Sequence, residues 1–175
     1  CGGADVVRIA LPRLLSLTAR LVLDADALNQ LAGDSSLAMQ LRARAARGKA
    51  TILTPHPLEA ARLLGCTTSE VQADRLHAAR ELSDRLQAVV VLKGSGTLIA
   101  CPGHHPMVNA SGNALLATAG TGDVLAGMVG AFLASGMNDF QAACSAVFAH
   151  GYKADTWAND MPRQALTASA LAKWQ

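Results

Sequence analysis

Apolar runs of strand length alternate with amphipathic stretches along most of the chain. Short, mostly apolar segments end at Leu23, Leu53 and Leu92, and polar or turn-forming residues follow each of them. Between these segments, apolar residues recur three and four positions apart, which is the spacing of one face of a helix. Short buried strands that alternate with helices predict an α/β fold with a largely parallel sheet.

Capping residues and glycines give the predicted helix boundaries. The predicted helices run from Ser35 to Arg47, from Leu58 to Leu64 with Gly65 as the C-cap, from the Thr67–Glu70 capping box to about Leu86, from Thr121 to about Ala134, onward from the cap residue Asn138, and from about Gln164. Core-facing stripes are expected at Leu76, Ala79, Leu82 and Leu86, and at Phe140, Ala143, Cys144, Val147, Phe148 and Gly151. Thr97–Cys101 and His105–Val108 are predicted to pair as a hairpin.

Composition indicates a folded chain and gives no reason to expect a nucleic-acid partner. Hydrophobic residues make up 51% of the 175 residues and charged residues 16%, which excludes disorder. Lys and Arg number 15 against 13 Asp and Glu, and the resulting net charge of +2 favours no polyanion. Arg42, Arg44, Arg47 and Lys49 form a local basic cluster, which we expect to be a solvated helix face.

The cysteines and the most apolar stretch favour a cytoplasmic protein without a membrane partner. The cysteines lie far apart, at Cys1, Cys66, Cys101 and Cys144. Without a CxxC pair, this pattern is typical of reduced thiols in the cytosol. The segment Leu115–Met137 contains one formal charge, Asp123, and five glycines. A carboxylate and so many glycines favour a buried loop and helix over a membrane span.

Candidate chemistry is concentrated in Gly120-Thr121-Gly122-Asp123, which lies directly before an apolar helical stretch. Free N–H groups and the positive end of the helix dipole are available at a helix start, and glycines let a phosphate approach them. An aspartate in such a turn would repel phosphate, so its chemical role would be to accept a proton from an attacking hydroxyl. From the local pattern alone, a glycine loop in which Asp123 only caps the helix is an equally good interpretation.

A second glycine-rich turn, Lys93-Gly94-Ser95-Gly96-Thr97, follows a predicted buried strand. Ligands bind at the carboxyl ends of strands in open α/β sheets, and a lysine there can meet a phosphate. The pattern lacks the GxxxxGK[ST] spacing of a Walker loop. A hairpin turn with a solvated lysine therefore explains the segment about as well.

Two further polar groups also follow predicted strands. His56, between two prolines, and Glu59 could contact a polar substrate and a hydrated Mg²⁺, although an isolated histidine is more often incidental. Asp24 and Asp26 could bind Mg²⁺ as a pair, or Asp26 could cap the turn into the next segment, and we slightly favour the cap.

Taken in order, four segments resemble the ADP/ATP-dependent NAD(P)H-hydrate dehydratases, a family of the ribokinase-like superfamily. The segments are Leu21–Asn29 (LVLDADALN), Thr54–Glu59 (TPHPLE), Val91–Thr97 (VLKGSGT) and Ala117–Gly127 (ATAGTGDVLAG). Each is weak alone, whereas four in this order are specific. The resemblance implies a ribokinase-like three-layer α/β/α sandwich with a mostly parallel central sheet.

The resemblance also implies a repair reaction on the S form of hydrated NAD(P)H. In the family, the terminal phosphoryl group of a nucleotide passes to the ring hydroxyl and then leaves as phosphate, which restores the double bond. The donor is usually ADP in bacterial members and ATP in eukaryotic ones. The implied enzyme is therefore a hydro-lyase that uses ADP (or ATP) and Mg²⁺.

Roles are carried over by matching position. Asp123 would contact the hydrate and act as the base, beside an anion hole formed by Gly120, Thr121 and Gly122. His56 would contact the substrate, and Glu59 would organise Mg²⁺ through water. The implied nucleotide-binding residues are Lys93, Gly94, Ser95, Gly96, Thr97 and Gly122.

The early glycine-rich segments of the family have no counterpart here. We therefore expect residues 1–175 to be the C-terminal part of a single dehydratase domain that is incomplete at its N-terminus. A homo-oligomer is expected, with an NAD(P)H-hydrate epimerase as a fused or separate companion. The rival hypotheses are a ribokinase-like kinase of a hydroxymethyl-pyrimidine or hydroxyethyl-thiazole vitamin precursor, and a catalytically silent fragment.

Overall fold

The computed structural model describes residues 4–173. Its helices are α1 (Ala4–Leu17), α2 (Asp26–Gly33), α3 (Ser35–Ala45), α4 (Pro57–Leu64), α5 (Thr68–Ala73), α6 (Arg75–Leu86), α7 (Thr121–Ala134), α8 (Asp139–Asp160) and α9 (Ala168–Lys173), with a 3₁₀ turn at Ala114–Leu116. Its strands are β1 (Arg20–Leu23), β2 (Ala50–Leu53), β3 (Val89–Leu92), β4 (Leu98–Ala100) and β5 (Met107–Val108). The alternation of strands and helices up to β3 confirms the predicted α/β pattern.

The strands form one sheet, in the order β1-β2-β3-β4-β5 within the described part of the chain. Strands β1, β2 and β3 are parallel, so their carboxyl ends meet at the same edge. Strands β4 and β5 run antiparallel and form the predicted hairpin. Because the loops after β1, β2 and β3 all leave from one edge, this topology brings the polar segments of the sequence together.

Helices cover both faces of the sheet, because successive strand residues point to opposite sides. On β3, Val90 and Leu92 pack into a core with helices α1 to α6. Val89 and Val91 pack into a second core with α7 and α8. The result is the predicted three-layer sandwich, in which β3 is buried on both faces.

The predicted helix from Thr67 to Leu86 is interrupted, which corrects the sequence interpretation. The capping box at Thr67 is present, but the backbone of Asp74 leaves the helical region and its side chain accepts a hydrogen bond from the N–H of His77 as a new N-cap. Ala79, Leu82 and Leu86 of the predicted stripe are buried as expected, whereas Leu76 lies in the first turn of α6, directly after the break. Leu76, predicted to face the core, is therefore 49% exposed.

Phe148 and the start of the last helix are also corrected. The inner face of α8 is formed by small residues such as Ala143 and Ala146, which pack closely on the sheet, so Phe148 is left 58% exposed and stacks on Tyr152. The last helix begins at Ala168 rather than near Gln164. The carbonyl of Gln164 instead accepts a hydrogen bond from the indole of Trp157, in a turn after α8.

Arg44, predicted to lie on a solvated helix face, is buried. Its guanidinium donates to the carbonyls of Leu15, Thr18 and Ala50 and to the hydroxyl of Thr51. These acceptors include carbonyls at the end of α1, where the helix dipole favours a cation. Burial lowers the pKa of this guanidinium below its ordinary value. Sequence periodicity could not distinguish this arginine from its exposed neighbours, since its acceptors come from other elements.

The apolar stretch Leu115–Met137 forms part of a 3₁₀ turn, a loop and α7, which confirms the predicted loop and helix. The loop itself is not buried as predicted, since Ala117, Thr118 and Ala119 are exposed. None of the helices in residues 4–173 combines the length and apolar character needed to cross a bilayer. Cys1, the first of the cysteines considered above, lies outside the described residues.

Candidate active site

Lys93 lies at the carboxyl end of β3, between two carboxylates that follow the other parallel strands. Its ammonium Nζ is 2.8 Å from Oδ1 of Asp24, after β1, and 3.9 Å from Oε2 of Glu59, after β2. All three side chains are largely buried, so these charges interact in a poorly screened environment. The sequence interpretation named each residue but did not predict that they meet.

The same ammonium lies beside the glycine turn that opens α7. A Cβ built at Gly122 would be 3.7 Å from Nζ of Lys93. The lysine thus lies beside the predicted anion hole while it is paired with the two carboxylates. This one cation joins the two glycine-rich segments that are separated by 29 positions in the sequence, from Lys93 to Gly122.

Gly120 supplies the backbone geometry of that turn. It is the N-cap of α7 with a φ of 85°, in the left-handed region where a side chain would be strained. A Cβ at Gly120 would also lie 3.0 Å from the Cβ of Ala168 in α9. Within the described residues, the N–H groups of Gly122 and Asp123 have no hydrogen-bond acceptor, as expected for the first turn of a helix.

Asp123, in the first turn of α7, has an exposed side chain. It makes no hydrogen bond or ion pair with the rest of residues 4–173, and it does not cap α7, because Gly120 occupies that position. The capping interpretation of this residue is therefore wrong. The carboxylate lies next to cavity-lining Gly122 in the chain but does not itself line the cavity.

His56 and Glu59 form a capping box at the start of α4, a role that the sequence interpretation missed. Nδ1 of His56 accepts hydrogen bonds from the N–H groups of Leu58 and Glu59, at 3.2 and 3.3 Å. In return, Oε2 of Glu59 accepts from the N–H of His56 at 2.8 Å. Since Nδ1 is an acceptor, a neutral His56 carries its proton on Nε2, and the ring is about half exposed.

Asp26 does not cap α2, contrary to the preference stated above. It is the first residue of that helix, and the N-cap is Ala25, which contributes no side-chain hydrogen bond. Ala25 has a φ of 51° and a ψ of −118°, a strained conformation for a residue with a Cβ. The strain occurs directly after Asp24, at the point where the chain leaves β1 to bring its carboxylate to Lys93.

A cavity of about 440 Å³ opens beside these groups, next to the start of α7. Every residue predicted to bind nucleotide, from Lys93 to Thr97 together with Gly122, lines it. The opposite wall was not predicted, and its polar and small residues are Asn109, Ser111, Gly112, Asn113, His150 and Gly151. The only sequence signal for that wall is the run of small and polar residues at 109–113.

The unpredicted wall is held in place by α8. The carboxylate of Asp155 accepts hydrogen bonds from the N–H of Gly112 at 2.7 Å and from the side-chain amide of Asn113 at 2.9 Å. The hydroxyl of Ser111 donates to the carbonyl of Phe148. A Cβ at Gly151 would lie 2.7 Å from backbone atoms of Ser111, so this close approach requires glycine.

His150 connects α8 to the start of α7 at the back of the cavity. Its Nε2 is 2.9 Å from the carbonyl oxygen of Thr121, and the ring is buried. Burial lowers the pKa of His150, and the hydrogen bond to Thr121 opposes that shift in part. The imidazole is therefore neutral near pH 7, with Nε2–H as the donor to the carbonyl.

The described residues contain no protein-only metal cage. No three His, Cys, Asp or Glu side chains between residues 4 and 173 come together as a metal-binding group. Mg²⁺, however, usually keeps several waters and binds one or two carboxylates together with substrate phosphates. The buried carboxylates of Asp24 and Glu59 fit an ion of that kind, which would share them with Lys93.

Comparison with known proteins identifies the family. A family model described as NAD(P)H-hydrate dehydratase matches residues 3–175. The chain belongs to this dehydratase family. The sequence resemblance stated above is thereby confirmed, and the GTGD turn, the Lys93 loop and the acidic pair lie within the matched region.

Individual relatives agree with this assignment. The ADP-dependent (S)-NAD(P)H-hydrate dehydratase of Neisseria meningitidis is 54% identical over 77% of this chain and 44% of its own length. The bifunctional NAD(P)H-hydrate repair enzyme Nnr of Escherichia coli is 38% identical over 93% of this chain and 30% of its own. The chain therefore spans less than half the length of these two members of the dehydratase family.

A solved structure confirms the fold. The ADP/ATP-dependent NAD(P)H-hydrate dehydratase of Bacillus subtilis, co-crystallised with ATP/Mg²⁺, superposes with a TM-score of 0.78 at 32% sequence identity. The match covers 96% of this chain and 57% of the Bacillus chain. The ribokinase-like architecture expected from the resemblance is thus confirmed for this member of the dehydratase family.

Proposed function

We propose that this protein takes part in the nucleotide-dependent dehydration of the S form of NAD(P)H hydrate, with ADP as the preferred donor. The observation that carries the proposal is the cavity lined by Lys93, the loop up to Thr97, and Gly122 at the start of α7. It combines a cation, glycine backbone and free helix-start amides, which suit the phosphates of a nucleotide. The 54% identical Neisseria relative is named as ADP-dependent, which supports the choice of donor.

In the proposed reaction, the nucleotide phosphates lie along the Lys93–Thr97 loop, and the transferring group lies against the amides of Gly122 and Asp123. These amides and Lys93 stabilise the negative charge that develops on the phosphoryl oxygens. Asp123 accepts the proton of the ring hydroxyl as that oxygen takes the phosphoryl group. Phosphate then leaves with loss of a ring proton, which restores the double bond.

Asp24 and Glu59 fix Lys93 by charge pairing, and Glu59 would hold Mg²⁺ through water. When bound, Mg²⁺ supplies further neutralisation of the phosphate oxygens. Nδ1 of His56 accepts from the α4 amides and Nε2 lies 3.4 Å from Oε1 of Glu59, so a substrate contact through Nε2 would be shared with that carboxylate. The roles of Glu59 and His56 rest on family resemblance together with the positions of their side chains, whereas that of Asp24 rests on its 2.8 Å contact with Lys93.

The side chain of Asp123, the proposed base, is exposed to solvent in the part of the chain that the structure describes. A carboxylate in open water is surrounded by competing proton acceptors, so its role as base requires the bound substrate to cover it. The chain covers 44% of the Neisseria relative and 57% of the Bacillus structure. We therefore propose that further protein segments of such relatives contribute to substrate binding.

The decisive experiment incubates the chain with (S)-NADH hydrate and either ADP or ATP, and follows near-ultraviolet absorbance together with free phosphate. A dehydratase restores the absorbance of reduced nicotinamide and releases phosphate in equal amount. A vitamin-precursor kinase would instead form a stable phosphate ester from its own alcohol, with neither signal. A chain that binds nucleotide but shows no turnover with any of these substrates would support the silent fragment.

The cytoplasmic location, the homo-oligomer and the epimerase companion stay predictions. The bifunctional E. coli relative makes a fused partner worth testing by reading the coding sequence around this chain.

A further inference from the structure

Arg75 is the first residue of α6, and its guanidinium reaches the glycine-rich loop on the cavity wall. Nη1 donates to the carbonyl of Ser95, and Nη2 donates to the carbonyls of Leu92 and Lys93, at 3.3 and 3.4 Å. Three carbonyls in four residues are thus held by one side chain. No carboxylate in residues 4–173 forms an ion pair with Arg75. Its hydrogen bonds to the described residues go to the carbonyls of this loop.

The position of Arg75 depends on the break between α5 and α6. Because Asp74 ends one helix and caps the next, α6 starts at Arg75, whose side chain is partly buried. Its Nε is buried and has no hydrogen-bond acceptor in the described residues. Burial lowers the pKa of its guanidinium. Partly removing this cation from water costs free energy, and the hydrogen bonds to the loop carbonyls offset that cost.

The contacts of Arg75 with the loop carbonyls also determine the direction in which the neighbouring loop N–H groups point. In a trans peptide, the carbonyl of one residue and the N–H of the next point in opposite directions. Since the carbonyls of Lys93 and Ser95 point to Arg75, the N–H groups of Gly94 and Gly96 point away from it. Both glycines line the cavity, and neither N–H has an acceptor within the described residues.

Gly94 leaves room for this arrangement. A Cβ built there would lie 2.8 Å from Nη2 of Arg75, and its φ of 146° is outside the range that side chains favour. A larger residue would therefore push the guanidinium off the carbonyls of the loop. The position of the Arg75 guanidinium therefore depends on the absence of a side chain at Gly94.

We propose that Arg75 is a positioning residue for the nucleotide: it holds the loop carbonyls outward so that the Gly94 and Gly96 amides are presented to the anionic part of a nucleoside diphosphate. The inference rests on the proposed function, because it takes the cavity to be the nucleotide site. Arg75 itself acts through the backbone and does not touch the phosphates.

The test measures ADP affinity of the full chain by isothermal titration for wild type, Arg75→Ala, Arg75→Lys and Arg80→Ala. Arg80 is exposed on the same helix and provides a matched removal of one positive charge. Both Arg75 substitutions should weaken ADP binding by at least about tenfold, since lysine keeps the charge but loses the planar donor fork. Arg80→Ala should bind ADP as wild type does.

A second readout separates positioning from a general loss of stability. In amide NMR spectra, the Gly94 and Gly96 resonances should shift on addition of ADP to wild type, and these shifts should be lost in Arg75→Lys. The resonances of α8 should stay unchanged in that variant, which shows that the fold is intact. If Arg75→Ala fails to fold, Gly94→Ala replaces it, with the same expected loss of affinity.

The outcomes distinguish this inference from the proposed function. A wild-type chain without measurable ADP binding would contradict both the nucleotide site and the inference. Wild-type binding with unchanged affinity in Arg75→Lys and Gly94→Ala would overturn the inference alone. Equal weakening by Arg75→Ala and Arg80→Ala, with Arg75→Lys at wild-type affinity, would mean that only the long-range charge matters and would also overturn it.

Discussion

At the scale of single residues, the site depends on how charges are paired. Lys93 is shared between Asp24 and Glu59 while it also faces Gly122 at the start of α7. A lysine held by two carboxylates loses little further freedom when a phosphate arrives, because its side chain is already ordered. Its mutation should therefore affect both ligand binding and stability.

Lys93→Ala should weaken ADP binding by roughly tenfold or more and should lower stability by about 1–3 kcal/mol, because Asp24 and Glu59 lose their buried cation. Isothermal titration and chemical denaturation measure the two effects. Lys49→Ala, which removes a lysine bonded to the carbonyl of Ser16 at the other end of β2, is the control. Unchanged ADP affinity in Lys93→Ala would count against the lysine as a nucleotide contact.

Asp123→Asn should lower kcat by at least about 100-fold and leave the dissociation constant for ADP near its wild-type value. The amide keeps the size of the side chain but cannot accept the hydroxyl proton. Asp139→Asn, in the first turn of α8, tests whether any acidic residue at a helix start has this effect. An unchanged rate in Asp123→Asn would remove this residue from the base role.

His150 should make stability depend on pH. Its folded-state pKa lies below the ordinary 6.5, so as the pH falls through 6.5 the unfolded chain takes up a proton that the folded chain does not. The free energy of unfolding should therefore decrease in that range, and His150→Gln should make this decrease shallower. Urea denaturation between pH 5 and 8 measures it. His77→Gln, at an exposed ring, is the control, and equal slopes in wild type and His150→Gln would contradict the prediction.

At the scale of elements, α8 is the support for the unpredicted cavity wall. It contributes His150, Gly151 and Asp155, which contact the start of α7 and the loop at 109–113. These residues lie on one side of a 22-residue helix whose small residues allow close packing. The position of that helix therefore determines the width of the cavity.

Gly151→Ala should destabilise the protein by about 1–3 kcal/mol, because the new methyl group would collide with the backbone of Ser111. Gly130→Ala in α7 is the matched control, since its Cβ would meet nothing within 4 Å. That substitution should stabilise by about 0.5–1 kcal/mol through helix propensity. Denaturant midpoints measure both, and equal effects would mean that the close approach of α8 is not required.

At the scale of the whole molecule, nucleotide binding should stabilise the fold. ADP at about 100 times its dissociation constant adds about 2.7 kcal/mol, which raises Tm by roughly 5–10 °C for a chain of this size. Thermal denaturation with ADP, ATP and inorganic phosphate as control measures the shift. If ADP raises Tm no more than phosphate does, the cavity is not a nucleotide site in this chain.

Much of the fold and part of the site could be predicted from the sequence. Strand β2 and the helix starts at Ser35 and Thr121 agree with the structure, and the caps at Gly65 and Asn138 are present. These features are local, because a cap or a buried strand is defined by residues a few positions apart. Leu76 and Arg44 were mispredicted from their local pattern. The helix break at Asp74 left Leu76 exposed, and acceptors from other elements bury Arg44.

The sequence by itself determined the α/β alternation, the family and the two glycine-rich turns, because these depend on spacing along the chain. Only the tertiary structure decided that Lys93 pairs with Asp24 and Glu59, that α8 and the 109–113 loop close the cavity, and that Arg75 holds the Lys93 loop. Such contacts join residues 17 to 69 positions apart, and their formation depends on the direction in which each strand and helix leaves the sheet.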